Sequence, residues 1–199
     1  MTPLTYTPAC TGTAHLSALA LAVERLRPEV DRLRGWAADL ADVLLAGGRL
    51  LAVGNGGSAA QAQHLTSELV GRYCDDRRPF SALALHSDTS SVTAITNDYG
   101  ADAVFARQVR AHGRPGDILV AMSTSGRSPN VVAAAQAATT AGLAVWALTG
   151  RAPNPVASSA HQALCVDADT TATVQEVHLV VVHLLCTFLD EIVGCGEER

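Results

Sequence analysis

Two short apolar runs each end in a polar turn and pass directly into a helical pattern, and this repeated arrangement constrains the chain more than any other feature. Residues 49–53 run into Gly54-Asn55-Gly56-Gly57-Ser58, and a helical stretch follows over 59–70. Residues 117–122 run into Ser123-Thr124-Ser125-Gly126-Arg127-Ser128, and a second helical stretch follows over 131–141. Further strands are expected at 81–85, 143–148 and 163–166, with helical stretches at 91–97 and 102–112. Strands alternating with helical crossovers build a parallel sheet covered on both faces, so the pattern predicts a three-layer, doubly wound α/β domain. A chain of 199 residues suits one such domain over 1–199, with a helical region at 1–47 and an α/β core at 48–199.

The flanking segments read as helices. Apolar residues recur at helical spacing over 15–46, with Pro28 separating two helices. Residues 173–192 predict a last helix, apolar on most of its circumference, which must be buried in a core or against another subunit. Its segment 177–189 is interrupted by His178 and His183 and falls short of the ~20 residues that a membrane span needs, so no membrane association is expected. Residues 194–199 read as a frayed tail. No positively charged run precedes the first apolar stretch, so no secretory signal is expected. Cysteines at 10, 74, 165, 186 and 195 form an odd set without a C-x-x-C pair, as expected for reduced thiols in a cytoplasmic protein.

All 14 basic residues are arginine. Without lysine, Schiff-base and PLP chemistry are excluded, and a Walker-type loop lacks its Gly-Lys-Ser/Thr triplet. A net charge of -5 with no basic run argues against a nucleic-acid groove or an acidic-membrane patch.

Ligands of open α/β sheets sit at the carboxyl ends of the strands, where turns open onto helix N-termini. The turn at 54–58 supplies backbone N–H groups, and the turn at 123–128 supplies four hydroxyl residues around one glycine. Such a cradle binds phosphate without lysine. Gly54, Gly56 and Ala59 also fit a degenerate dinucleotide-binding pattern, but the acid that would hold the ribose is misplaced: the next strand ends at Leu85, with Asp88 beyond it. His64 and Glu68 lie one helical turn apart on a shared face. On the last helix Gln175, Glu176, His178 and His183 interrupt an apolar surface, and unpartnered burial would cost roughly 1–3 kcal/mol each. Two imidazoles, a carboxylate and an amide oxygen make either a zinc-type divalent site or an acid/base cluster. Beside two anion-binding turns, either arrangement suits a phosphorylated polyol handled by proton transfer, with an electrophile to stabilise an enediolate.

Five motifs, in order, resemble the bacterial phosphoheptose isomerases of the sugar isomerase (SIS) domain class: G-N-G-G-S-A at 54–59, Q-H-L-T-S-E-L at 63–69, N-D at 97–98, S-T-S-G-R-S at 123–128 and Q-E-V-H-L-V-V-V-H at 175–183. The resemblance implies a five-stranded parallel sheet flanked by helices and assembled as a homotetramer with sites near subunit contacts. It implies substrate contacts from Asn55, Gly56, Gly57, Ser58, Glu68, Arg72, Asn97, Asp98, Ser123, Thr124, Ser125, Ser128 and Gln175. It also implies zinc on His64, Glu68, Gln175 and His183, with Glu68 as base and His183 as acid. The implied reaction interconverts sedoheptulose 7-phosphate and D-glycero-D-manno-heptose 7-phosphate through an enediol. The chain departs from the family at Thr173, where many members carry arginine, and residues 70–76 have no assigned role. A non-catalytic branch that binds a replication initiator lacks the glutamate and the last histidine, both present here; a sugar-phosphate sensor would need neither.

Overall fold

The computed structural model describes residues 11–194. Helix α1 (Gly12–Glu24) and helix α2 (Val30–Leu45) are separated by a 3-10 turn at Arg27–Glu29. Pro28 lies inside that turn, at the break the sequence predicts. In α2 the residues Leu33, Trp36, Ala37, Leu40, Ala41 and Leu44 are buried, one apolar stripe at helical spacing.

The core begins with strand β1 (Leu50–Val53), helix α3 (Gly57–Val70), strand β2 (Ala82–Ala84) and helix α4 (Thr89–Tyr99). A 3-10 turn at Ala101–Ala103 leads to helix α5 (Val104–His112) and strand β3 (Ile118–Ser123). Helix α6 (Pro129–Thr140), strand β4 (Ala144–Thr149), helix α7 (Pro155–Ser158), strand β5 (Gln162–Cys165) and helix α8 (Thr171–Val193) complete the chain. All neighbouring strands pair in parallel, in the order β2-β1-β3-β4-β5. This is a doubly wound arrangement, as expected.

Alternation along the strands divides the interior in two. Leu50, Ala52, Ile118, Val120, Met122, Trp146 and Leu148 face one core with α2, α3 and α8. Leu51, Val53, Leu119, Ala121, Val145 and Ala147 face the other with α5 and α6.

Several boundaries differ from the sequence reading. Helix α3 starts at Gly57, so the last two residues of the expected turn already belong to the helix. The expected helix at 102–112 is divided between the 3-10 turn and α5. Helix α7 was not anticipated; the Asn154 side chain caps it by accepting from Ala157 N–H. Helix α8 spans 23 residues, so by length and apolarity it qualifies as a membrane span, contrary to the reading from its shorter apolar segment. What marks it as a core helix is burial: Val174, Val177, Val181, Val182, Leu185 and Leu189 all pack inside the domain. Of the expected tail only Gly194 is within the described residues, and Cys10 and Cys195 lie outside them; Cys74, Cys165 and Cys186 are free thiols.

Candidate active site

Strand β1 sits between β2 and β3, and the chain leaves it towards β2 before crossing to β3 on the other side. The turns after β1 and β3 therefore emerge side by side at the reversal of strand order, where open α/β sheets bind ligands. Asn55 of the first turn and Asn130 in the first turn of α6 exchange two 2.9 Å hydrogen bonds across the gap. The hydroxyls of Ser123 and Ser128 meet at 3.1 Å, and those of Ser123 and Ser125 at 3.5 Å. Arg127 N–H donates to Ser125 Oγ at 3.2 Å. Thr124 is half-buried between Ser123 and Ser125. The four predicted hydroxyl residues thus line one loop at the head of α6, whose N-terminus adds its N–H groups and positive dipole end.

Helix α8 lies beside α3 and runs in the same direction. Near its start the Gln175 amide covers Gly57, so closely that a Cβ there would stand 2.5 Å from Nε2 and displace the amide. Gln61 donates to the Gln175 carbonyl, locking the same crossing. Two turns further on, His183 Nε2 meets His64 Nε2 at 3.1 Å, and His64 Nε2 lies 3.2 Å from Glu68 Oε1. Tyr73 stacks on the His183 ring with centroids 5.7 Å apart, a contact from residues 70–76 that the sequence did not reveal. Ser58 is buried in the first turn of α3.

The Glu68 side chain is mostly covered. Its backbone is fixed from below by Arg77, which donates to the Glu68 carbonyl at 2.6 Å and the Leu69 carbonyl at 3.1 Å, and pairs with Asp190 of α8 at 2.8 Å. Cys186, one turn before Asp190, has its thiol pKa pushed up to about 12, by burial first and by the Glu68 charge second.

The other residues singled out from the sequence make their bonds outside the His64–Glu68–His183 cluster. Asn97 and Asp98 are exposed near the end of α4, joined to each other by a 2.8 Å bond. Arg72 is exposed and donates to the Cys74 carbonyl at 2.8 Å. Thr173 is buried, its hydroxyl accepting from Thr170 at 2.9 Å in the first turn of α8. Glu176 takes His15 of α1 at 2.9 Å. His178 Nε2–H donates to the Thr149 carbonyl at 3.2 Å, which places the proton on that nitrogen. Sequence reasoning missed Tyr73, Arg77, Asn130 and Asn154. For Asn154 a local signal existed, since asparagine before proline marks a helix start.

Among the described residues no three His, Cys, Asp or Glu side chains close into a finished metal cage; His64 stands between Glu68 and His183. Of the four expected ligands, His64, Glu68 and His183 stand together while the Gln175 amide lies against Gly57; the three are donor types that suit a divalent ion. The His183 nitrogen and the Glu68 oxygen each lie within hydrogen-bond distance of His64 Nε2, and lone pairs so placed repel unless a proton or cation lies between them. Donors held ~2.0–2.1 Å from zinc stand about 3.3 Å apart at tetrahedral angles, close to the His64–His183 and His64–Glu68 separations.

The family model for the SIS domain matches residues 15–150. A phosphoheptose isomerase of Streptomyces coelicolor is 61% identical over 183 residues, covering 92% of this chain and 79% of that protein. The structure of phosphoheptose isomerase GmhA from Neisseria gonorrhoeae superposes with a TM-score of 0.82 at 39% identity, covering 90% of this chain and 97% of the other. That of a phosphoheptose isomerase from Francisella tularensis gives 0.80 at 32% identity, with 92% and 100% covered. With its sheet order, paired turns and α3–α8 crossing, the chain belongs to the phosphoheptose isomerase family of SIS-domain proteins.

Proposed function

We propose that this chain interconverts sedoheptulose 7-phosphate and D-glycero-D-manno-heptose 7-phosphate, an aldose-ketose isomerisation. The observation that supports the reading is the crossing of α3 and α8, which brings His183 to His64 beside Glu68 and the Gln175 amide to Gly57 at the first turn. The names of the relatives point to the same chemistry.

In this mechanism Ser123, Thr124, Ser125 and Ser128, with the N–H groups at the head of α6, hold the phosphate. Asn55, Gly56, Gly57, Ser58 and Gln175 line the approach for the sugar chain, and Arg72, Asn97 and Asp98 complete the contacts. Glu68 removes a proton from C1 of the open-chain ketose, leaving an enediol, and the proton delivered to C2 gives the aldose. His183 exchanges protons with the sugar oxygens, steadied by Tyr73 and His64. His64, Glu68, Gln175 and His183 would hold a zinc ion, which when bound supplies Lewis-acid polarisation of a carbonyl oxygen. The assembly is proposed to be a homotetramer acting in the cytoplasm.

Purified protein incubated with sedoheptulose 7-phosphate in deuterated water forms the aldose with deuterium at C2. Glu68→Gln and His183→Ala each lower kcat by roughly 10²–10⁴-fold, the usual contribution of one acid or base. Absence of turnover by the wild-type protein defeats the proposal, and tight binding of the sugar phosphate without turnover identifies a sensor instead.

A further inference from the structure

The hydroxyl turn after β3 has internal bonds and is also packed from beneath. At its inflection Gly126 adopts φ 62°, and a Cβ there would stand 2.1 Å from both Cγ and Oδ1 of Asn154. The Asn154 amide therefore lies flat against the turn, in a place that only a glycine leaves free. Asn154 is 3% exposed and stands at the head of α7, after β4. Its Oδ1 accepts from Ala157 N–H at 2.9 Å. Its Nδ2 donates to Thr149 Oγ1 at 3.0 Å and to the Arg151 carbonyl at 3.1 Å, with the Gly150 carbonyl at 3.4 Å. With both ends of the amide held, the side chain cannot rotate. One further bond joins the two loops directly, Val156 N–H to the Gly126 carbonyl at 2.9 Å.

Capping a four-residue helix needs Oδ1 alone, and a serine would serve. The three inward contacts of Nδ2 and the fit against Gly126 exceed that requirement. We propose that Asn154 is a positioning residue for the phosphate site: its amide, immobilised by the β4–α7 loop, fixes the height of Gly126 and so aims the hydroxyls and N–H groups of the turn at the phosphate. The inference rests on the sugar-phosphate reading of that turn. Asn154 touches no substrate; it acts through the backbone of 123–128.

Asn154→Ser tests this, because it keeps a capping oxygen and withdraws the amide from Gly126. The KM for sedoheptulose 7-phosphate and the inhibition constant of inorganic phosphate both rise about tenfold, the equivalent of one charge-assisted hydrogen bond, while kcat stays within about twofold. Thr149→Val, which removes the hydroxyl that accepts from Asn154, shifts both constants the same way and replaces the serine variant if that does not fold. A purely structural role predicts instead a lower melting temperature with both constants unchanged. If wild-type protein shows sugar-phosphate turnover and phosphate inhibition, and the variant matches it in both constants, this inference fails alone. A wild-type protein with neither overturns the functional reading and this inference with it.

Discussion

His178 is fully buried in α8, and its Nε2–H donates to the Thr149 carbonyl at 3.2 Å while Nδ1 has no partner among the described residues. Burial pulls its pKa down from 6.5 to about 4, against the raising pull of that carbonyl. The folded protein therefore holds a neutral imidazole, whereas the unfolded chain binds a proton near pH 6.5. The stability this gives is complete above pH 6.5 and is lost as the pH falls towards 4, by roughly 3 kcal/mol from this group. Urea unfolding at pH 7 and pH 4.5 measures the loss, and His178→Gln narrows the difference between the two. The sequence marks His178 as a polar group that needs a partner. It does not show the partner, because Thr149 ends a strand 29 residues earlier.

At the scale of elements, the site depends on how firmly α3 and α8 are held together. The Arg77 side chain is 1% exposed, pairs with Asp190 of α8 and closes the C-terminal carbonyls of α3 at Glu68 and Leu69. Phe80 lies against the guanidinium at 5.0 Å. Breaking a buried pair leaves an uncompensated charge, so Asp190→Asn lowers the unfolding free energy by about 3–5 kcal/mol. Chemical denaturation measures this. Replacing both partners with apolar residues, Arg77→Met with Asp190→Leu, recovers much of the loss, although the α3 carbonyls then lack their donor. The i,i+4 pair His64–Glu68 was legible from helical spacing. Its meeting with His183 was not, since helical periodicity states which residues share a face and never which face of another helix lies opposite.

At the scale of the whole molecule, α1 is the element least explained by one chain. Leu16 is 67% exposed and Leu21 55%, while Ala22 is the buried residue of that helix. An apolar helix left open to water is a surface for association. The proposed homotetramer requires such a surface, and Leu16→Arg combined with Leu21→Arg lowers the sedimentation coefficient to that of a smaller species. Wild-type protein that sediments as a monomer overturns the tetramer. What the sequence determined by itself was local: the alternation of strands and helices, the break at Pro28 and the place of both polar turns. Periodicity, proline and glycine act within a few residues of themselves. Only the tertiary structure decided that β1 lies between β2 and β3, that His183 faces His64 from 119 residues away, and that Asn154 supports Gly126. These depend on the order in which the strands join the sheet and on the packing of helices across it, a choice made by the burial of all the apolar faces together and carried by no single segment.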